Sequence, residues 1–241
     1  LIAYSVTTLS RTSFMVIGAL VAVALTYLAG VSSIGGALLA GALAQAGIIT
    51  TLTSTGSGAI TFGNTLDGAY TLTVNTSGIT TFTGAVGSNA ALTSLTTDAG
   101  GTLAIRGGVI NTTGAQSYGE AATLGANTTL TSSGAGDITF GNTLNGAYAL
   151  VVNTSGATTF TGAVGNSAAL TSLTTDAGGS VAINGGVVNT TGAQSYGEAA
   201  TLGANTTLTS TGSGAITFGH TLDGAYTLAV NTSGITTFTG A

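Results

Sequence analysis

Ionisable side chains are scarce enough in this chain to be weighed one by one. Seven acids, two arginines and one histidine are spread over 241 residues, with a formal net charge of −5. The acids that recur at a fixed interval are Asp98 with Asp176, each in TTDAGG, and Glu120 with Glu198, each in SYGEAA. Such carboxylates could bind calcium or work as an acid/base pair. Calcium takes six to eight oxygens from closely spaced ligands. One acid per segment does not supply them, and the calcium-binding nonapeptide pattern GGxGxDxUx is absent. The expectation is therefore a turn aspartate and a solvated glutamate. Other charges are exchanged between equivalent positions: Arg106 for Asn184, Asp67 for Asn145 and then Asp223, Asp137 for Ala59 and Ala215, and His220 for Asn64 and Asn142. No Ser/His/Asp grouping meets the demands of nucleophilic catalysis. The sequence is read as non-enzymatic, with no catalytic, cofactor-binding or metal-ligating residue.

The comparison of equivalent positions rests on a long internal repeat. Residues 52–129 recur as 130–207, a period of 78, with 13 differences. A third, partial copy covers 208–241 and differs only at His220 and Ala229. Near-identical repetition of a Thr/Gly/Ala-rich unit points to an elongated, self-stacking architecture. From residue 51 onward, runs such as AITF, TLTV, ITTF and LAI are separated by Gly, Asn, Asp and Ser, the pattern of short strands and turns. Leu52, Leu72 and Leu92 are spaced by 20, and a Gly-xxx-large-apolar pattern gives Gly58/Phe62, Gly78/Phe82, Gly101/Ile105 and Gly114/Tyr118 before restarting at Gly136/Phe140. This predicts four rungs of roughly 20 residues per repeat in a parallel β-helix, a coil size such folds use. Phe62 should then stack near Phe82, and Leu52 over Leu72. About ten rungs at ~4.8 Å would make a rod about 45 Å long. A row of sandwich domains is disfavoured, because the partial third copy is too short to close one but can add about two rungs. The last residues, TTFTGA, stop mid-repeat without a charged or proline-bearing cap, so the chain is expected to be a fragment of a longer array or to have its end covered by a partner.

The N-terminal fifth differs in character. After a flank of residues 1–12, residues 13–50 form a hydrophobic segment expected to be α-helical. Its first part, Ser13 to Val31, carries no charge. As a helix rising about 1.5 Å per residue it would cross about 28 Å of hydrocarbon. Arg11 precedes it, and Tyr4 and Tyr27 lie near its ends. The second part, Ala37 to Ile49, is rich in small residues suited to close helix packing. Three readings stand for this region: a secretory signal cleaved at Ala44-Gln45-Ala46, a retained membrane anchor, and a helix bundled with its copies in a filament core. The chain begins at Leu1, which implies processing or trimming, and the anchor is the leading expectation. Its partners would be membrane lipid, or other copies of itself through residues 13–49.

Two arginines cannot neutralise a run of phosphates, so nucleic acid is excluded as a partner. With no cysteine there are no disulfides or thiolate metal sites. Seven asparagines, Asn75, Asn111, Asn127, Asn153, Asn189, Asn205 and Asn231, stand in N-x-S/T. They are glycan acceptors on an exported protein; stacked asparagine ladders inside the solenoid are the favoured alternative.

The segment TGAQSYGEAATLGANTTLTSSGAGDITFGNTLNGAYALVVNTSGATTFTGAVG, from Thr113 to Gly165, together with ALTSLTTDAGG, resembles the repeats of large bacterial surface proteins of the filamentous-haemagglutinin-like or autotransporter type. The resemblance covers residues 51–241. It implies a right-handed parallel β-helix outside a bacterium, engaged in adhesion, aggregation or matrix building, and it carries no catalytic motif. Residues 1–50 depart from that pattern: the usual signal and secretion-recognition domain are not evident in them. The functional expectation is a membrane-anchored cell-surface shaft with an adhesin-like role. The alternatives are a subunit of a pilus-like filament with a helical core, or an accessory subunit of a membrane complex.

Overall fold

The computed structural model describes Thr26–Tyr27 and residues 50–240. From Thr50 onward the chain coils into a parallel β-solenoid of about nine turns, with short strands laid on three faces. The first face carries Thr50–Ser54, Thr71–Thr76, Ser94–Thr97, Gln116–Tyr118, Ile138–Phe140, Ala157–Phe160, Ser180–Ile183, Ala199–Leu202 and Leu222–Asp223, in that order along the axis. The second face begins with Ile60–Phe62 and runs to Leu144–Asn145. It continues through isolated bridges Leu144↔Val164↔Val188 into the strands Val187–Thr190, Thr206–Ser210 and Leu228–Asn231. The third face starts with bridges Leu66↔Val86↔Ile110 and runs to Thr236–Phe238. Every strand pair is parallel and links one turn to the next, which is why no strand tolerates proline and the chain has none.

Period-two alternation determines what is inside. In Thr71–Thr76 and Ala149–Thr154, every second residue is buried and the residues between are half-exposed. The interior is a single apolar column of Leu, Val, Ile, Phe and Tyr. At the corners small polar residues replace it. Thr76 Oγ1 donates to the Gly58 carbonyl at 2.7 Å and accepts from Gly78 N at 3.0 Å, tying one corner to the turn before it.

The expected stack of Phe62 on Phe82 is present, with ring centroids 5.0 Å apart. The expected pairing of Leu52 with Leu72 is not. Leu72 pairs with Thr50 and Leu52 with Val74, because the register of that turn is two positions longer than the predicted spacing. Nor does Tyr118 lie over Ile105. Ile105 stays on the second face under Leu124, while Tyr118 sits on the first face between Thr97 and Phe140. The chain from Ile105 to Tyr118 passes two corners without completing a turn.

This changes the rung count. Going from Phe62 to its counterpart Phe140, the chain visits the third face at Leu66, then first, second and third in rotation, and reaches the first face at Phe140 after eleven steps. The same eleven steps lead from Phe140 to Phe218 on the third face. One repeat is therefore eleven faces, or three turns and two thirds, instead of four rungs. Each copy is displaced by one face from the copy before it. The aromatic stacks follow: Phe62–Phe82 on the second face, Tyr118–Phe140–Phe160 on the first, and Tyr196–Phe218–Phe238 on the third.

Of the apolar N-terminal segment, Thr50 opens the first solenoid strand, and the one other described piece is Thr26–Tyr27. It is a two-residue strand paired in parallel with Thr53 and Ser54, at the edge of the first face. The rest of the helical expectation for residues 13–50, and the cleavage-like Ala44-Gln45-Ala46, lie outside the described residues. Among the described residues no helix is long and apolar enough to cross a membrane.

Candidate functional site

The two recurring glutamates are not solvated. Glu120 and Glu198 are each 1% exposed, which overturns the surface reading. The reason is positional. Each lies two residues beyond an inward tyrosine, Tyr118 or Tyr196, so the alternation carries its side chain into the interior just where the strand turns a corner. Thr97 Oγ1, at the same corner one turn earlier, donates to Glu120 Oε2. Thr175 Oγ1 donates to Glu198 Oε2 at 2.5 Å. The other carboxyl oxygen of each, Oε1, is buried without a partner, as are the hydroxyls of Thr80 and Thr158. Burial pushes both glutamates up from the ordinary carboxylate value; the Thr97 or Thr175 hydrogen bond and the glutamate's own backbone N–H oppose this, and the nearby Asp98 or Asp176 adds to it.

At the other end of the same strand, two residues before each tyrosine, is a second buried polar group that sequence reasoning overlooked. Gln116 is fully buried, and its Nε2 reaches the Ile110 carbonyl at 3.3 Å, Thr112 Oγ1 at 3.2 Å and the Thr131 carbonyl at 3.0 Å. Its Oε1 accepts from Tyr118 OH at 2.8 Å. Gln194 and Tyr196 repeat the arrangement with Val188, Thr190 and Thr209. Burial raises both tyrosine hydroxyls well above their usual range, so they remain donors. The available signal was the unchanged run 111–129, repeated as 189–207, which contains AQSYGEAA.

The exchangeable charges take up structural posts on the outside. Asp67 Oδ1 accepts from Asn89 N at 2.8 Å and Ala90 N at 3.3 Å, and Oδ2 accepts from Asn89 Nδ2 at 2.9 Å. Partial desolvation works against its ionisation, but these bonds from Asn89 and Ala90, with one from Ser88, hold it below the usual carboxylate range. Asn145 Oδ1 receives the same pair of backbone bonds from Ser167 and Ala168, at 2.8 and 3.3 Å. A side-chain carbonyl suffices, so the charge is dispensable. Asp137 Oδ1 accepts from Ala157 N at 2.8 Å. Asp98 Oδ1 accepts from Thr76 N at 3.2 Å, a turn role as expected. Arg106 and His220 are exposed. Among the described residues no three His, Cys, Asp or Glu converge closely enough to hold a metal ion.

The asparagine ladder expected inside the solenoid is also corrected. Asn111 pairs with Thr131 and then Asn153, and Asn189 with Thr209 and then Asn231, so asparagines alternate with threonines. None of the seven is buried, because each lies at an outward phase of the alternation or in a turn. Asn127 and Asn205 use Oδ1 to cap the next turn, accepting from Ala149 N at 3.0 Å and Thr227 N at 3.2 Å.

What the outside offers in place of charge is a column of hydroxyls. Along the first face, Thr51, Thr73, Thr96, Ser117, Thr139, Thr159, Ala182 and Thr201 occupy one outward register line through eight successive strands. Seven of the eight carry a hydroxyl and none is ionisable; Asp223 ends the line. Strand pairing spaces them at about 4.8 Å. Compared with known proteins, the chain matches no family model, no curated protein and no solved structure.

Proposed function

We propose that this chain is a non-enzymatic structural and adhesin-like protein of a bacterial cell surface, a solenoid shaft held through its apolar N-terminal segment. The observation that carries this reading is the uncharged hydroxyl column on the first face. A rigid parallel ladder presents it at fixed intervals, as a surface that meets neutral, hydroxyl-rich partners needs to do. Right-handed winding, the hand that parallel crossovers take almost without exception, belongs to the same proposal, as does membrane or self-association through residues 13–49.

The test uses the full chain in binding assays against bacterial surfaces and neutral polysaccharide. Replacing Thr96, Thr139 and Thr159 by Glu should abolish binding while leaving the β-sheet circular dichroism unchanged. Binding that survives the triple replacement, or that disappears in high salt, would defeat the reading.

A further inference from the structure

At each of the Glu120 and Glu198 corners, one buried carboxyl oxygen makes no well-formed hydrogen bond. At the first, Glu120 Oε1 and Thr80 Oγ1 are both buried and neither makes a well-formed hydrogen bond, although the Thr80 hydroxyl and the Glu120 backbone N–H lie close enough to the carboxyl to favour its charged form. At the second, Glu198 Oε1 and Thr158 Oγ1 repeat the condition. Register places the two threonines at the same station: Thr80 pairs with Leu103 and then Ala122, and Thr158 with Val181 and then Ala200. A buried carboxylate needs well-formed donors on both oxygens, and Oε1 has none of that geometry. A proton on Oε1 removes that need, turns the oxygen into a donor and leaves the acid neutral in an interior that penalises charge.

We propose that Glu120 and Glu198 are internal proton-binding sites, held as neutral carboxylic acids, and that their ionisation loosens the two corners they occupy. A cation fits less well. It would need about six or more oxygens, whereas each interior corner offers one carboxylate and two hydroxyls, and Asp98 Oδ1 is already engaged by Thr76 N. The other groups facing the sites are few. Asp98 and Asp176 bring negative charge from the preceding turn, and Asp176 Oδ1 is itself unpartnered. Tyr118 and Tyr196 share the glutamates' own segments. The following turn brings Gly141 and Asn142 to the first corner and Gly219 with the exposed His220 to the second. Burial and the neighbouring aspartates shift both carboxyls in the direction the geometry requires. The sign follows. Between the ordinary glutamate pKa and the raised one, the folded chain holds protons that the unfolded chain has released, so stability falls as pH rises through that window.

The experiment is thermal unfolding of the full chain from acid to mildly alkaline pH, for the wild type and for Glu120→Gln with Glu198→Gln. The wild-type midpoint should drop by a few degrees per site across the window, and the double variant should lose that drop. Titration of the glutamate side-chain carbons by NMR in the wild type gives an independent reading if the variant does not fold, and two resonances titrating above the ordinary range are expected. An unchanged pH profile in the folded double variant, or glutamate carbons titrating at ordinary values, overturns the proposal. So does a midpoint that calcium or sodium raises at neutral pH in the wild type but not in the variant, which would make the corners cation sites.

Discussion

At the scale of single residues, the solenoid is governed by how closely one corner passes over the next. Ser57, Ala135 and Ser213, which occupy the same place in the three copies, all have positive φ, near 60°. An L-residue there costs about 1–2 kcal/mol, partly offset in glycine by the entropy it loses on folding. Ala135→Gly should therefore stabilise the protein by roughly 0.5–1 kcal/mol in denaturant unfolding. The reverse holds at Gly101, where φ is +75° and an added Cβ would lie 1.8 Å from the Gly78 carbonyl oxygen. Gly101→Ala should cost roughly 2–4 kcal/mol, and Gly179→Ala the same, by the same measurement. Asn145→Asp should be nearly neutral and Asn145→Ala should lose about 1 kcal/mol, because only the latter deprives Ser167 and Ala168 of their acceptor. The dispensability of that charge was legible in the sequence, since the copies themselves exchange Asp for Asn. The burial of Glu120 was not. In the bare sequence it is a polar letter among glycines and alanines, and only the phase set by Tyr118 turns it inward.

At the scale of elements, ladders of like residues hold the turns together. Phe140 sits between Tyr118 at 5.1 Å and Phe160 at 5.7 Å, both stacked. Phe140→Ala should cost about 3–5 kcal/mol, more than truncating Phe62, which has one stacked neighbour among the described residues. Urea midpoints of the two variants would rank them. Tyr118→Phe should cost about 1–2 kcal/mol despite preserving the stack, because Gln116 Oε1 loses its buried donor. Strand identity and the pairing of Phe62 with Phe82 could be read from alternation and spacing. The register of Leu52 could not. Turn length is not constant: the turn from Phe82 to Ile105 is longer than the next one, from Ile105 to Leu124. The extra length lies in loops such as Gly87–Ala91. Bridges at Val86↔Ile110 and Leu92↔Thr112 show that loop bulging out where its neighbour continues straight. An average period hides such excursions.

At the scale of the whole molecule, charge has almost no part in cohesion. With two arginines and seven acids, the fold depends on apolar burial and backbone ladders. The unfolding midpoint at neutral pH should change little between low salt and about 1 M salt, beyond the general strengthening of burial by excluded salts. A scan series in sodium chloride tests this. Deleting residues 52–129 should leave a folded solenoid shorter by about 18 Å, measurable by small-angle scattering, since copy 130–207 begins with the same strand that it replaces.

The eleven-face repeat makes that deletion more than a shortening. A repeat of whole turns would line up every copy of a surface feature along one side, like beads on a ruler. This one advances like the thread of a screw, with each copy meeting its surroundings about a third of a revolution away from the last. A feature returns to its starting side only after three repeats, or eleven turns, about 53 Å along the axis. A long array built on this rule would have no front or back. Whatever one copy can grip, the array could grip from every direction, without having to turn.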